Sequence, residues 1–128
     1  MHPTRIHFYQ GIVKFNMIGL PYNFKKLMKN NNYSGHVSYS APELICEGQK
    51  FGVNSDTWSL GCCLYYIVTK QDPFQGRSIQ ETKQNIFNLR IDQNNSLQFH
   101  NKILTTLVME CFEQDSSTRI TAAELLQF

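Results

Sequence analysis

The stretch Asn54–Val68, NSDTWSLGCCLYYIV, decides the fold of this chain. It has a residue type that caps helices at Ser55, an acid in its first turn at Asp56, and apolar residues on every side from Leu60 onward. A helix that is apolar all round is a buried helix, and this one is shorter than the ~20 apolar residues that span a bilayer. The sequence therefore predicts a buried central helix in a compact domain.

The size and composition of the chain indicate one ordinary globular domain. It has 128 residues, of which 41% are hydrophobic, and a net charge of +2 at pH 7. Domains typically have ~100–150 residues, so the chain is long enough for a core of its own. Because the net charge is small and no transmembrane segment appears, we expect neither a nucleic-acid nor a membrane partner.

The four cysteines, Cys46, Cys62, Cys63 and Cys111, show neither a CxxC pair nor the spacing of a metal site. Cys62 and Cys63 are neighbours in the apolar helix, where free thiols behave as small hydrophobic groups. The sequence begins without a secretory segment. We therefore expect reduced cysteines and an intracellular, cytoplasmic location.

The N-terminal third predicts a small β-hairpin followed by a loop. Two β-rich runs, Ile6–Phe8 and Ile12–Phe15, are separated by three residues that end in Gly11, which is typical of a tight connection. The stretch from Gly19 to Ser40 has little periodicity, so we expect a long loop with one helical turn near Phe24–Met28.

Further helices are predicted beside the central one. Proline is favoured at a first helical position, and Ser or Thr followed three residues later by Glu forms a capping box. Apolar residues at helical spacing indicate the rest. The predicted helices are Ala41–Ile45, Ser78–Leu89 with Ile79, Thr82, Ile86 and Leu89 on one side, Ile103–Phe112, and Thr121–Leu126. The predicted fold class is mainly α, a helical bundle with a small N-terminal β-hairpin.

Three motifs occur in the order and at the spacing of one protein family. Ser38–Glu43 reads SYSAPE, Asp56–Gly61 reads DTWSLG, and Asp115–Ile120 reads DSSTRI. They resemble the YxAPE, DxWSxG and DPxxRI motifs of the C-terminal lobe of eukaryotic protein kinases. Ser116 stands where the family usually has proline. The resemblance therefore implies a kinase-like C-lobe.

The resemblance also implies how the chain is divided. Residues 1–128 would be a partial kinase domain, with the end of the catalytic loop, an activation segment at 19–43, and C-lobe helices at 44–128. His2–Ile6 reads HPTRI and aligns with the family's KPENI, so the HRD motif would precede Met1. The glycine-rich loop and the VAIK lysine of the family's N-lobe do not occur in this sequence.

Five residues have structural roles in the family. The glutamate of the APE motif forms a buried ion pair with the arginine of DPxxRI, here Glu43 with Arg119. The aspartate of DxWSxG, here Asp56, accepts hydrogen bonds from the catalytic loop, and Trp58 and Gly61 belong to the same motif. Without the resemblance, Glu43 and Arg119 would be interpreted as surface charges, and Asp56 as a first-turn acid favoured by the helix dipole.

The positions that hold Mg²⁺ in the family carry other residue types here. Arg5 stands at the metal-binding asparagine, and His2 at the lysine that contacts the transferred phosphate. Val13–Leu20 reads VKFNMIGL and resembles VKIxDFGL, which places Met17 at the DFG aspartate. Mg²⁺ requires oxygen ligands, which a guanidinium and a thioether do not supply. We expect no intact catalytic residue, no metal and no cofactor for this chain, although the family binds Mg·ATP.

The remaining positions of interest lie in the activation segment. Gly19 aligns with the DFG glycine, and His36 with the threonine of the P+1 segment. Tyr33 and Ser34 are hydroxyl residues at positions that kinases phosphorylate, although hydroxyls are ordinary in an exposed Asn-rich loop and a lone loop histidine such as His36 is usually only solvated. Tyr39, where some kinases place tryptophan, indicates the serine/threonine class.

Three functions are compatible with the sequence. The first is a pseudokinase, catalytically inactive, that binds a protein partner through the C-lobe groove around the helix beginning at Ser78 and the activation segment. The second is the C-terminal part of an active serine/threonine kinase whose N-terminal half is missing from this sequence. The third is a fragment without independent function, because an absent N-lobe would leave Ile6 and Phe8 uncovered.

Overall fold

A computed structural model of the chain describes residues 2–16, 37–46, 52–91 and 102–128. The elements in these ranges confirm the mainly helical fold with an N-terminal hairpin. They are β1 (Ile6–Tyr9), β2 (Ile12–Phe15), α1 (Pro42–Ile45), α2 (Asn54–Thr69), α3 (Ile79–Phe87), α4 (Lys102–Cys111), α5 (Ala122–Leu125), and 3-10 turns at Pro3–Arg5 and Val37–Tyr39. Most of the predicted loop from Gly19 to Ser40 lies outside the described residues, as do Met17, Gly19, Tyr33, Ser34 and His36.

Strands β1 and β2 form an antiparallel hairpin whose register pairs Ile6 with Phe15 and Tyr9 with Ile12. The two turn residues, Gln10 and Gly11, have φ angles of 49° and 78°. Positive φ at both central positions is the geometry that connects two strands tightly, and glycine adopts it without strain. The hairpin prediction is confirmed, with β1 one residue longer than the predicted run.

The central helix α2 carries most of the core. Its side chains Trp58, Cys62 and Cys63 are fully buried. Trp58 stacks on Phe74 with ring centroids 5.3 Å apart and contacts Phe112 at 5.2 Å. Aromatic rings at these separations add specific attraction to the area that they bury. Trp58 therefore joins α2 to the segments that follow α2 and α4.

Gly61 lets α2 and α4 approach closely. A Cβ atom at this position would lie 2.5 Å from the Cβ of Cys111 and 3.1 Å from the Phe112 ring. These contacts are shorter than real Cβ contacts, so any side chain at position 61 would push the two helices apart. The glycine of the DTWSLG motif is therefore a packing residue here.

Two details of the predicted central helix are wrong. Ser55 does not cap α2, because Val53 precedes the first helical residue and provides no side-chain cap. The helix is also not buried along its whole length, since Ile67 and Val68 are 52% and 44% exposed. A helix that is apolar on every side is fully buried only where other segments of the chain pack around both of its ends. The helix ends as predicted near Thr69, where Lys70 adopts a left-handed φ of 61°.

Helix α3 is shorter than the sequence predicts, and its buried face is narrower. It ends at Phe87, and Leu89 lies beyond it with a φ of 48°. Thr82 and Ile86 are buried as expected, but Ile79 is exposed. The local sequence indicates the helix period correctly, whereas the width of the buried face depends on the neighbouring segments.

The capping boxes differ between the two helices that carry them. At α3, the Ser78 hydroxyl accepts from the Glu81 amide as predicted. The Glu81 carboxylate, however, accepts from the amide of Arg77 at 2.6 Å. At α5, both bonds of the box between Thr121 and Glu124 are present. Each arrangement satisfies amide groups that a helix start leaves without partners.

Helix α4 buries Val108 and Cys111 and leaves Ile103 exposed. All four cysteines are free thiols. Burial raises the pKa of the Cys63 and Cys111 thiols to about 11. These two thiols are therefore protonated at neutral pH and act as small apolar side chains in the core.

Candidate functional groove

Among the described residues, the buried side chain of Arg119 is the charge with the most hydrogen bonds. Its Nη1 atom donates to Oε1 of Glu43 at 2.7 Å, and its Nη2 atom donates to Oε2 at 3.0 Å. The three remaining N–H groups donate to the carbonyl oxygens of Glu113, Gln114 and Asn54. These are five hydrogen bonds, and a guanidinium has five N–H groups, so each N–H group of Arg119 has an acceptor.

The surroundings of this pair keep Glu43 ionised. Burial raises the pKa of its carboxyl, but hydrogen bonds from Arg119, from the backbone and from Ser55 outweigh burial, and the pKa is lowered. The Ser55 hydroxyl donates to Oε1 of Glu43 at 2.8 Å. The Arg119 guanidinium also lies 5.1 Å from the Trp58 ring centroid, a cation–π contact. Ser55 therefore supports the ion pair.

Asp56 lies in the first turn of α2 and is exposed. Within the described ranges its carboxylate has no hydrogen-bond partner, so its position fits a first-turn acid favoured by the helix dipole. The role that the family resemblance implies for it, contact with a catalytic loop, stays a prediction.

The N-terminal turn holds the first two of the altered positions. Nδ1 of His2 accepts from the Thr4 amide at 3.3 Å and caps the turn Pro3–Arg5. The His2 ring meets the Tyr39 ring edge-on, with centroids 4.6 Å apart. Arg5 is half-buried and donates from Nη1 to the Asn16 carbonyl oxygen at 3.4 Å. Met17 lies outside the described residues.

Tyr39 lies between the N-terminal turn and the segment after α2. Its hydroxyl donates to Oδ1 of Asp72 at 2.6 Å, and its carbonyl oxygen accepts from the Ser59 hydroxyl at 2.8 Å. Burial raises the pKa of the Tyr39 hydroxyl strongly, and the hydrogen bond to Asp72 adds to this. The hydroxyl therefore stays protonated and remains a donor to Asp72.

Two adjoining cavities meet at Asp72. The first has a volume of about 370 Å³ and lies between the N-terminal turn and the end of α2. The second, of about 410 Å³, continues along the start of α3. They share Gln71, Asp72 and Gln75, so we describe them together as the groove. The other lining residues are His2, Pro3, Thr4, Tyr39, Tyr66, Lys70, Gly76, Arg77 and Glu81.

A family profile described as "Protein kinase domain" matches residues 7–128. The chain belongs to the protein kinase family. It is 31% identical to mouse mitogen-activated protein kinase kinase kinase 15 over 134 aligned residues. This alignment covers 95% of this chain and 9% of that protein. It is 39% identical to calcium-dependent protein kinase 6 of Plasmodium berghei over 93 residues. This alignment covers 73% of this chain and 6% of that protein.

Solved kinase structures share the fold. Rad53 residues 1–466, in complex with AMP-PNP, matches with a TM-score of 0.76 and 25% identity over 98% of this chain and 32% of that chain. The twitchin kinase region of C. elegans matches with a TM-score of 0.64 and 25% identity over 70% of this chain and 16% of that chain. The chain spans less than a tenth of the two curated relatives named above.

The family implies Mg·ATP, and the residues at the N-terminal turn do not suit Mg²⁺. Residues 2–16 contain no Asp or Glu, and the half-buried Arg5 adds a positive charge. Mg²⁺ prefers carboxylate and water oxygens, and a guanidinium repels it. In the described part of the chain, no three His, Cys, Asp or Glu side chains lie together in a way that could hold a metal ion.

The groove contains residues that the sequence did not single out. Asp72 stands directly before Pro73 and Tyr66 within an apolar stretch, and neither position by itself indicates a binding surface. Asp72 and Tyr39 are 33 residues apart, and no local pattern connects them. The local signal that the sequence offers is an acid directly before Pro73, in the segment after α2. None of the helices that the structure describes is long and apolar enough to cross a membrane.

Proposed function

We propose that this kinase-family domain does not transfer phosphate and that it binds a segment of a partner protein in the groove. The observation that carries the first part is Arg5, whose half-buried guanidinium lies at the base of the hairpin, hydrogen-bonded to the Asn16 carbonyl oxygen. Phosphoryl transfer in this family depends on metal ions that neutralise the phosphates. A donor set without carboxylates does not hold such an ion.

The binding role is supported by the construction of the groove. Tyr39 is held by Ser59 at its carbonyl and by Asp72 at its hydroxyl, and the next two residues after Asp72, Pro73 and Phe74, are buried. The walls are therefore fixed before any partner arrives. A site that needs no ordering on binding loses less entropy, which favours affinity.

A second candidate is the C-terminal part of an active serine/threonine kinase. The match to two named protein kinases favours this alternative. The relatives named above are kinases of which this chain spans a small share. On this alternative, the missing catalytic groups are encoded upstream, and Arg5 and Met17 still weaken the metal site.

Nucleotide binding tests the first part of the proposal on this chain by itself. Purified chain 1–128 is heated with and without Mg·ATP, and with ATP plus EDTA as the control for nucleotide without metal. A ligand at 100 times its Kd stabilises a fold by ~2.7 kcal/mol, which a thermal shift detects easily. We expect no shift in any condition. A reproducible stabilisation that requires Mg²⁺ would overturn the inactive assignment.

The upstream genomic sequence provides an independent test. In-frame HRD, VAIK and GxGxxG motifs before Met1 would favour the second candidate. The longer chain would then be assayed for phosphate transfer to a general substrate protein, beside a variant with Arg5→Asn and Met17→Asp. We expect activity only in the variant, because only the variant has oxygen ligands at both aligned positions. Activity of the unaltered longer chain would contradict the proposal.

A further inference from the structure

We propose that the outer edge of strand β2 binds an extended segment of a partner protein in which apolar residues flank an acidic residue. No residue of the hairpin lines the groove, so this is a second binding surface that does not depend on the proposed function. Three features of the hairpin support it: open backbone groups on β2, an apolar face beside them, and the charge of Lys14 on the opposite face.

The register of the hairpin leaves backbone groups of β2 open on its outer side. The Asn16 amide donates to the Arg5 carbonyl oxygen at 2.8 Å, which makes Arg5 and Asn16 a bonded pair. Bonded and non-bonded pairs alternate along an antiparallel ladder, so Phe15 and Val13 both belong to non-bonded pairs. The amide and carbonyl groups of both residues therefore point outward, and within the described ranges the sheet has no third strand.

The outer edge of β1 is less open than that of β2. Ile6 also belongs to a non-bonded pair, but its amide donates to the Pro3 carbonyl oxygen. Phe8 is therefore the one residue of β1 whose amide is left for an added strand. A segment that docks on β2 finds two such amides, and added strands gain their affinity mainly from backbone hydrogen bonds.

One face of the hairpin is entirely apolar. Residues directly opposite each other in a ladder lie on the same face, and the pairs of Ile6 with Phe15 and of Phe8 with Val13 share this one. Ile6 packs against the core, whereas the other three side chains are at least half exposed. The residues of a docked strand that lie opposite Val13 and Phe15 project to the same side. Apolar residues at these two positions would remove exposed apolar surface from water.

The opposite face determines the charge of the partner. Lys14 lies there, directly across from His7 of β1. Its ammonium group lies 5.8 Å from the Tyr9 ring centroid, and no carboxylate in the described part of the chain forms an ion pair with it. The partner residue between the two apolar positions projects onto this face opposite Lys14, where a charge of opposite sign stabilises the pairing. The segment is therefore apolar, acidic and apolar at three successive positions.

The same lysine argues against a second copy of this chain as the occupant. Two β2 strands that pair antiparallel through Val13 and Phe15 would place their Lys14 side chains directly opposite each other. Like charges at opposite positions destabilise a sheet, and lysine on an edge strand commonly protects against self-pairing. An acidic partner residue turns this repulsion into attraction.

The test uses two nonapeptides that differ at one position, a central Val-Glu-Val or Val-Lys-Val sequence within the same Thr, Ser and Gly residues. Each peptide is titrated into isotope-labelled chain 1–128, and the amide shifts in NMR spectra report where and how tightly it binds. We expect the amides of Val13 and Phe15 to shift. At low ionic strength the Glu peptide should bind about fivefold more tightly than the Lys peptide.

A charge reversal assigns this preference to Lys14. Lys14→Glu should make the Lys peptide the tighter ligand. The matched control is Lys83→Glu, the same change at an exposed lysine on α3, and it should keep the original preference. Both side chains are exposed, so both variants should fold, which far-UV circular dichroism checks. A preference for the Glu peptide that survives Lys14→Glu would overturn the proposal, because the acid would then bind elsewhere.

Methylation of the peptide backbone tests the strand pairing on the unaltered protein. In the antiparallel arrangement the amides of both peptide valines face β2, whereas the amide of the central Glu faces away. Methyl groups on the two valine amides should abolish binding, and a methyl group on the Glu amide should leave it nearly unchanged. Equal losses from the two modifications would contradict docking on this edge.

The positions of the shifts distinguish the other occupants. Shifts confined to residues that line the groove would overturn the assignment to β2. Shifts of Val13 and Phe15 that appear when the chain is concentrated without peptide would identify a second copy as the occupant instead. Absence of binding by both peptides at about 1 mM would remove the site altogether.

Discussion

Arg119 and Arg5 have the same side chain in two different parts of the molecule. Arg119 is buried among α1, α2 and the segment after α4, and all five of its N–H groups have acceptors. Arg5 is half-buried beside an exposed hairpin, and one of its contacts is a 3.4 Å hydrogen bond to the Asn16 carbonyl oxygen. The region that holds the fold together keeps the motifs that resemble the kinase family, whereas the region that the resemblance aligns with metal-binding positions carries other residue types.

The apolar residues show the same contrast. Phe112 is 1% exposed and contacts Trp58 and Phe74, whereas Phe8 on the hairpin is 76% exposed. Burying a large apolar side chain is worth ~1.5–3 kcal/mol, so the two phenylalanines differ widely in what they contribute. The stability of this chain therefore resides in its helical part, and the hairpin contributes little.

The ion pair provides the largest expected effect. Glu43→Ala or Arg119→Ala leaves one buried charge without its partner and should destabilise the fold by ~3–5 kcal/mol. Because each single change already breaks the pair, the double variant should lose much less than the sum of the two. The measurement is denaturant unfolding of all four proteins. Simple additivity would show that the two charges do not act together. The contrast between Arg119 and Arg5 would then lose its main support.

The packing of α2 on α4 should be nearly as sensitive. Gly61→Ala places a Cβ atom against Cys111 and should cost ~1–3 kcal/mol through overpacking. The matched control is Gly52→Ala, since a Cβ at Gly52 would meet nothing within 4 Å. Thermal unfolding of both variants measures the difference. Equal midpoints for Gly61→Ala and the control would mean that the helices can separate without cost.

Stability should decrease as the pH is lowered, because carboxyl groups of the helical region become protonated. The pKa of Glu43 is lowered in the folded state, as are the pKa values of Asp115 and Glu124, which hydrogen-bond to Ser117 and Thr121. A lowered folded pKa gives stability that is present above the unfolded pKa and lost as the pH falls through the folded pKa. The denaturant midpoint of unfolding should therefore decrease once the pH is below about 4.5, the unperturbed pKa of glutamate.

The contribution of Glu43 can be isolated by variants. Asp115→Asn combined with Glu124→Gln removes the other two carboxyls whose pKa is lowered among the described residues. Because both are exposed and Glu43 is buried, we expect most of the pH dependence to remain in this double variant. Urea midpoints between pH 7 and pH 3 provide the measurement. A flat profile in the double variant would assign the dependence to the surface and not to the ion pair.

The smallest expected effect tests the hairpin. Phe8→Ser should change stability by no more than ~0.5 kcal/mol, because the side chain is largely in water already. Phe112→Ala should cost ~3–5 kcal/mol in the same assay, since it empties part of the core. A large loss for Phe8→Ser would mean that the hairpin is covered in solution, for example by a second copy. Sedimentation of the chain would then reveal the association.

Local sequence alone determined the secondary structure of the helical region. Apolar residues at helical spacing, Pro42 at a first position and the box of Thr121 and Glu124 predicted helices that the structure contains. A three-residue connection that ends in Gly11 predicted the hairpin in the same way, and the structure closes it with a two-residue turn at Gln10 and Gly11. These features are encoded within a few residues, because helix periods, caps and tight turns depend on neighbours in the chain. The family motifs likewise indicated that Glu43 and Arg119 meet.

Tertiary structure decided which faces are buried and where the groove lies. Ser55, interpreted as a cap from sequence, donates to Glu43, and Ile67 and Ile79 are exposed although their helices appeared apolar there. The groove depends on Tyr39 and Asp72, which are 33 residues apart. Burial and hydrogen bonding between distant segments depend on which elements pack together, and a helical or strand period carries no information about that choice.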